Sequence, residues 1–317
     1  MITSLATSSR SRRAGLLALV LLAFASPAAR AAFPGENGRI VYSQCAAPYG
    51  EVCLPDLFTV DSDGKKPRKL TKTATGEFEA SFSADGKRIA FARGAEEGSS
   101  LGETDVWTMR ANGSAQTNLT PRSGSVDTEP VFSPDGRSIY FTSDRAGDSD
   151  IWRMSASGRN AVNLTAGSDA DESSSAISPD AETLAFERRQ GGSSEVWLMD
   201  ASGGGERRLV AGYDPDFAPD GSSVAYAFSG GMGLAGLDGS EPEVLARAAG
   251  VSDAWYEPAF SPDGTELAFE FDTHGPQPAV YTSSLGEARK STLTANSSPY
   301  QSYDPDWGVA SKGTRRP

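Results

Sequence analysis

The chain has 317 residues, 38% of them apolar, with 34 glycines, 19 prolines and a formal net charge of −13. That apolar share excludes a mostly disordered chain, and so much glycine and proline suits turn-rich β structure rather than a helical bundle. Residues 1–31 hold four arginines and no acid, so the remainder carries 25 bases against 42 acids, a net −17; such a surface repels nucleic-acid backbone and anionic lipid.

Arg10, Arg12 and Arg13 precede an apolar run from Leu16 to Ala25, and Ala29-Arg30-Ala31 follows as an A-x-A cleavage pattern. Residues 1–31 are therefore expected to be a signal peptide, with the mature chain starting at Ala32 and exported to the periplasm or exterior. The run is too short for a membrane span, and no later segment reaches the ~18 apolar residues one needs. Ser11-Arg12-Arg13 resembles a twin-arginine signal but lacks its usual Phe and Lys, so general secretion is the preferred route. Cys45 and Cys53 are the only cysteines. In an exported chain they are expected to pair as a disulfide across a short loop; with a single histidine they do not suit zinc.

The repeat begins with Asn37-Gly38-Arg39-Ile40-Val41-Tyr42, which has no Phe-Ser-Pro strand before it, and Asp56-Leu57-Phe58 follows. Phe82-Ser83-Ala84-Asp85-Gly86 opens the next unit, and the clearest unit opens at Glu129-Pro130-Val131-Phe132-Ser133-Pro134-Asp135-Gly136. Drifted or full copies stand at Ile177-Ser178-Pro179-Asp180, Phe217-Ala218-Pro219-Asp220-Gly221 and Phe260-Ser261-Pro262-Asp263-Gly264. Trp107, Trp152 and Trp197 recur 45 residues apart, and Leu-Thr closes units at 70–71, 119–120, 164–165 and 293–294. Pro-Asp-Gly is a turn, Ile139-Tyr140-Phe141 is a strand covered on both faces, and four such strands per ~45 residues make a propeller blade. Stacked blades bury the faces that one blade cannot. The expected fold is all-β: a six-bladed propeller of four-stranded antiparallel blades over residues 32–310, ahead of a disordered tail at 311–317. Asp304-Pro305-Asp306-Trp307 supplies the missing innermost strand of blade 1 and closes the ring, which removes two free edges.

The Phe-Ser-Pro-Asp-Gly phrase, with Ile-Tyr-Phe-Thr-Ser-Asp-Arg at 139–145 and Asp-Ile-Trp at 150–152, resembles the WD40-like PD40 repeat of TolB-type propellers. The resemblance covers essentially the whole expected mature chain. It implies a non-enzymatic protein that binds other envelope proteins at the propeller face and channel mouth; in the family the best-known partner is the peptidoglycan-associated lipoprotein. TolB carries an α/β domain before its propeller, whereas here the repeat begins within a few residues of the expected cleavage site, so a stand-alone, monomeric propeller is the expectation.

Glu79, Glu129, Asp214, Glu257 and Asp304 stand three residues before the repeated aromatic, with Ser174 in the equivalent place of the fourth repeat. Sixfold stacking puts these acids at one channel mouth, where they could attract a basic peptide or a cation such as calcium, or else cap backbone N–H groups of neighbouring blades. Tyr213, Trp255, Tyr256, Tyr300 and Tyr303 fall near the same mouth and suit recognition of peptide or sugar. The expected partner is thus an envelope or extracellular protein or peptide, with no required cofactor, no zinc and no catalytic group. A polysaccharide-binding or polysaccharide-active propeller is the alternative. Asp144, Arg145, Asp148 and Asp150 read as an intrablade salt bridge and turn cap, with calcium as the competing reading. Gly98-Ser99-Ser100-Leu101-Gly102 matches G-x-S-x-G but lies in a hairpin loop far in sequence from His274, so it does not read as a nucleophile elbow.

Overall fold

The computed structural model describes residues 33–45, 54–94, 103–121, 124–240, 242–247, 254–272, 279–285, 291–292 and 301–310. Cys53, the 95–102 loop, His274, Tyr300, the cleavage site and the 311–317 tail lie outside them.

The described strands form six four-stranded antiparallel sheets, arranged as the blades of a propeller. Their innermost strands are Gln301–Val309 in blade 1, Glu77–Phe82 in blade 2, Asp127–Phe132 in blade 3, Asp171–Ile177 in blade 4, Tyr213–Phe217 in blade 5 and Ala254–Phe260 in blade 6. As expected, the C-terminal strand completes blade 1: it pairs with Asn37–Cys45, setting Ile40 against Trp307 and Ser43 against Tyr303.

Successive side chains of a strand leave opposite faces, so each blade feeds two cores. Ile40, Tyr42 and Val60 of blade 1 pack with Ala268 and Val280 of blade 6, while Val41 and Leu57 pack with Phe82 and Phe91 of blade 2. The same alternation continues round the ring, giving six clusters, one between each pair of neighbouring blades. Phe91, Phe132, Phe141, Phe186, Phe217 and Phe269 are fully enclosed there, each stabilising the ring by ~1.5–3 kcal/mol through burial.

The repeated phrases have local chemical reasons. Ser133 Oγ donates to Asp135 Oδ1 at 2.6 Å and accepts from the Ser138 N–H at 2.9 Å, while Asp135 Oδ1 also accepts from the Arg137 N–H. The same Ser-to-Asp bond recurs at Ser83, Ser178 and Ser261; in blade 5, where Ala218 replaces the serine, Asp220 bonds Ser222 instead. The Leu-Thr phrase supplies hydroxyls: Oγ1 of Thr71, Thr120 and Thr165 accept the buried N–H groups of Leu57, Val106 and Ile151. Asn118 and Asn163 donate to Asp105 and Asp150 at 2.8 Å, which accounts for the recurrent Asn-Leu-Thr.

The turn glycine between the third and outermost strands abuts the preceding blade. At Gly158 φ is +79°, and an added Cβ would lie 2.5 Å from the Leu119 carbonyl oxygen. Gly147, at φ +127°, has nothing within 4 Å of its Cβ position. Gly158→Ala is therefore expected to cost more than Gly147→Ala, by ~1–3 kcal/mol, since only the first forces two blades apart. Thermal denaturation of both variants checks this, and equal losses would contradict it.

Candidate functional site

A central cavity of about 180 Å³ is lined by the innermost strands of all six blades. Each of these strands bulges at the same point. The pairing shifts register after Phe78, Thr128, Ser173, Tyr213, Tyr256 and Tyr303. The next residue then takes a left-handed conformation: Glu79, Glu129, Ser174, Asp214, Glu257 and Asp304 have φ between +48° and +52°. Non-glycine residues adopt that region at a cost, and six repetitions of it show a bulge built into the fold.

The bulge lets four of the five carboxylates accept a backbone N–H from the next blade round the axis. Asp304 Oδ2 accepts from the Glu79 N–H at 3.0 Å, and Glu79 Oε2 from the Glu129 N–H at 2.8 Å. Glu129 Oε2 accepts from the Ser174 N–H at 2.6 Å, and Asp214 Oδ2 from the Glu257 N–H at 3.3 Å. In blade 4, where Ser174 brings no carboxylate, the Glu187 carboxylate on the adjacent strand sets its charge beside Asp214 instead. The capping reading thus holds for Asp304, Glu79, Glu129 and Asp214, and these side chains, with Glu257, also line the channel.

The channel is electrostatically one-sided. Among the described lining residues are seven carboxylates, those of Glu79, Glu129, Asp214, Asp216, Glu257, Asp304 and Asp306, with no Lys, Arg or His. Burial, then the charges of Glu129 and Asp304, hold Glu79 well above the usual carboxylate range. Burial, then Asp304 and Glu270, do the same for Glu257. Asp214 is pushed up to about 7 by burial, then by Glu187 and Glu129. Lower in the channel, burial pushes Asp216 to about 7 and Asp306 to about 6. Glu257 Oε2 is buried without a hydrogen bond, and Glu257, Glu270 and Asp304 bring ligand oxygens within 4.8 Å of one another. An all-carboxylate set suits a hard cation such as calcium and not zinc.

The two ends of the channel differ. At the end where the innermost strands begin, the residues just before the bulge are Tyr213, Tyr256, Tyr303 and Phe78 on four consecutive blades, then Thr128 and Ser173. The rings of Tyr213 and Tyr256 stand 6.1 Å apart and Tyr256 is exposed. Trp255 lies in the same strand, paired with Phe271. At the opposite end the segment before the first strand crosses the floor. Gly35 N–H donates to the Pro262 carbonyl of blade 6, Asn37 bonds Asp263, and Phe33 lines the cavity and packs on the core between blades 2 and 3, on the far side of the axis.

The other sequence candidates have structural partners. Asp144 accepts from the Val126 N–H, and Asp150 accepts from Asn163 and Thr165. The salt bridge of Arg145 is made to Asp127, not to its neighbour Asp144. Trp107, Trp152 and Trp197 pack against interblade cores. Each also lies under an arginine, Arg93, Arg145 and Arg188 respectively.

The family model described as the PD40 TolB beta propeller domain matches residues 95–255, just over half of the chain. The chain belongs to the PD40 TolB-type propellers. A 43-residue stretch of this PD40 propeller is 46% identical to the Tol-Pal system protein TolB of Bordetella pertussis, covering 14% of this chain and 10% of that protein. The match thus spans about a tenth of the curated relative's length. Among solved structures, TolB from Acinetobacter baumannii superposes with a TM-score of 0.71 at 21% identity, covering 87% of this chain and 68% of that one. Putative TolB from Agrobacterium tumefaciens does so at 0.63 and 17% identity, covering 84% and 98%. At these identities the superpositions establish the fold. Among the described residues, no helix is long and apolar enough to cross a membrane.

Glu187, Glu270, Asp216, Asp306, Phe78 and Phe33 were not among the sequence candidates. Glu187 and Glu270 are legible only once strand register is known, since they sit on the second strands opposite the bulges.

Proposed function

We propose that this PD40 propeller is an exported, non-catalytic binding module that docks a protein or peptide segment at the channel mouth carrying the carboxylate ring and Tyr213, Tyr256 and Tyr303. The observation that carries the reading is the asymmetry of the channel: one mouth offers exposed aromatic surface over acids with no lining base, and the other is crossed by Phe33. Aromatic anchors beside unneutralised carboxylates fit a basic, partly apolar segment. The chain's net negative charge would steer such a partner, so the on-rate should fall with salt. A cation held by Glu257, Glu270 and Asp304 belongs to the same proposal, calcium being the chemistry that suits those ligands. Acidic polysaccharides are disfavoured by the sign of the mouth.

The test uses residues 32–317 as bait in envelope extract, with Glu129→Gln/Glu257→Gln/Asp304→Asn as control. Amides keep an acceptor oxygen for the neighbouring N–H, so the variant should fold. A partner retained by the wild type and lost at least ~10-fold by the folded variant supports the reading. Equal retention by both proteins would remove the mouth from the interaction, and binding only in a glycan screen would move the function to sugars.

A further inference from the structure

The channel carries acid at two levels. Asp214-Pro215-Asp216 in blade 5 and Asp304-Pro305-Asp306 in blade 1 are the same three-residue phrase on two innermost strands. Asp214 and Asp304 belong to the carboxylate ring, and Asp216 and Asp306 stand two residues deeper. There Asp216 accepts from the Phe260 N–H at 2.8 Å, and Asp306 from the Phe82 N–H at 2.7 Å. Asp216 is raised to about 7 by burial first and by the charge of Asp306 as well, so the deeper pair faces a shared space. Between the two levels the wall is a belt of Pro130, Pro215, Pro258, Pro305 and Ala80, with Ser175 as its one polar side chain. Proline has no N–H, so four blades offer no donor at this level of their free edge.

Two polar atoms of this wall are unanswered. Ser175 is 7% exposed, and its Oγ has no hydrogen-bond partner. Glu257 Oε2 is likewise buried without one. Among the described residues, none of the seven lining carboxylates forms a salt bridge. A ligand that answers this wall brings donors and positive charge, and the cavity of about 180 Å³ leaves it far more room than the ~10–15 Å³ that one water needs. Two levels of acid call for two charges, whereas a single metal ion would answer one level only. Two residues of strand separate the levels by roughly 6–7 Å, about the reach of a four-carbon chain with an amine at each end. We propose that the channel binds a linear α,ω-diamine, with one ammonium at the carboxylate ring, the other at Asp216 and Asp306, and the methylenes against the proline belt. Each ammonium supplies three donors, and the stem lies on apolar surface as a lysine stem does. This slot goes beyond docking at the mouth and depends neither on export nor on a protein partner.

The purified full chain, freed of divalent cations with EDTA, is titrated calorimetrically at physiological ionic strength with 1,4-diaminobutane, 1,2-diaminoethane and butylamine. The expected result is one diaminobutane per chain, bound at least ~10-fold more tightly than either of the others. Butylamine has the same carbon chain with one charge, and the charges of diaminoethane cannot reach both levels. In Asp216→Asn/Asp306→Asn, whose amides keep an acceptor for the two N–H groups, the preference over butylamine should disappear. Equal affinity for diaminobutane and butylamine in the wild type, or no response to either, overturns the proposal. So does a preference that survives unchanged in the folded variant, which would place the diamine on the acidic outer surface. Calcium is titrated in parallel: a response to calcium alone overturns the diamine slot and leaves the cation site at Glu257, Glu270 and Asp304 standing. Should the double variant fail to fold, the amine series on the wild type decides by itself.

Discussion

Arg145→Ala is expected to lower stability by ~3–5 kcal/mol, the usual cost of leaving a buried charge without its partner. Asp127 is wholly enclosed, and Arg145 Nη2 sits 2.7 Å from its Oδ2, while the guanidinium lies over the rings of Phe141 and Trp152 at 5.1 and 5.0 Å. The same clamp joins Glu77, Arg93 and Trp107 in blade 2, and Glu172, Arg188 and Trp197 in blade 4. The acid supplies charge from the innermost strand, the tryptophan supplies a face from the third, and the arginine between them ties three strands together. Urea unfolding measures the loss, and Asp127→Asn/Arg145→Met should lose less than Arg145→Ala because no charge is stranded. A single-variant loss below ~1 kcal/mol would mean that the clamp is only surface packing.

In buffer free of divalent cations, stability should be greatest near pH 4 and fall towards pH 8. Glu79, Asp214 and Glu257 have folded-state pKa values raised above their unfolded ones. Such groups hold their protons more tightly in the folded chain, so their contribution is complete below the unfolded value and is lost as pH rises through the folded value. For Asp214 the window runs from 3.8 to about 7, on the order of 4 kcal/mol if nothing compensates. The opposite arm comes from the turn aspartates. Burial works against Asp85, Asp135 and Asp263, but hydrogen bonds from Ser83, Ser133, Ser261 and nearby N–H groups hold them below the usual range. Their stabilisation is lost as pH falls below about 4. Melting temperatures from pH 4 to 8 test this, and Glu79→Gln/Asp214→Asn/Glu257→Gln should flatten the alkaline arm. A wild type that gains stability between pH 5 and 8 would show that the ring is neutralised by other means.

The repeat made the fold legible because each phrase answers a local demand: Ser133 and Asp135 bind their own turn, and Thr165 caps an N–H of the adjacent strand in the same blade. The five acids were legible as a ring for the same reason, since the blade period carries them to one level. What stayed hidden depends on contacts between strands. Glu187 replaces the carboxylate missing at Ser174 from a neighbouring strand, 13 residues later in the chain. Glu77, Asp127 and Glu172 precede the ring positions by only two residues, but the bulge sends them into the blade to meet an arginine rather than into the channel. Phe33 lies outside the repeat, so no periodicity could place it.

The pairing of Asn37–Cys45 with Gln301–Val309 joins segments more than 250 residues apart. Contacts of such separation form late, after the intervening loop entropy has been spent. Blade 1 therefore has to wait, two of its neighbours' cores half open, until the last strand has been delivered. A chain cut short before Gln301 would therefore leave the innermost place of blade 1 empty and the ring open.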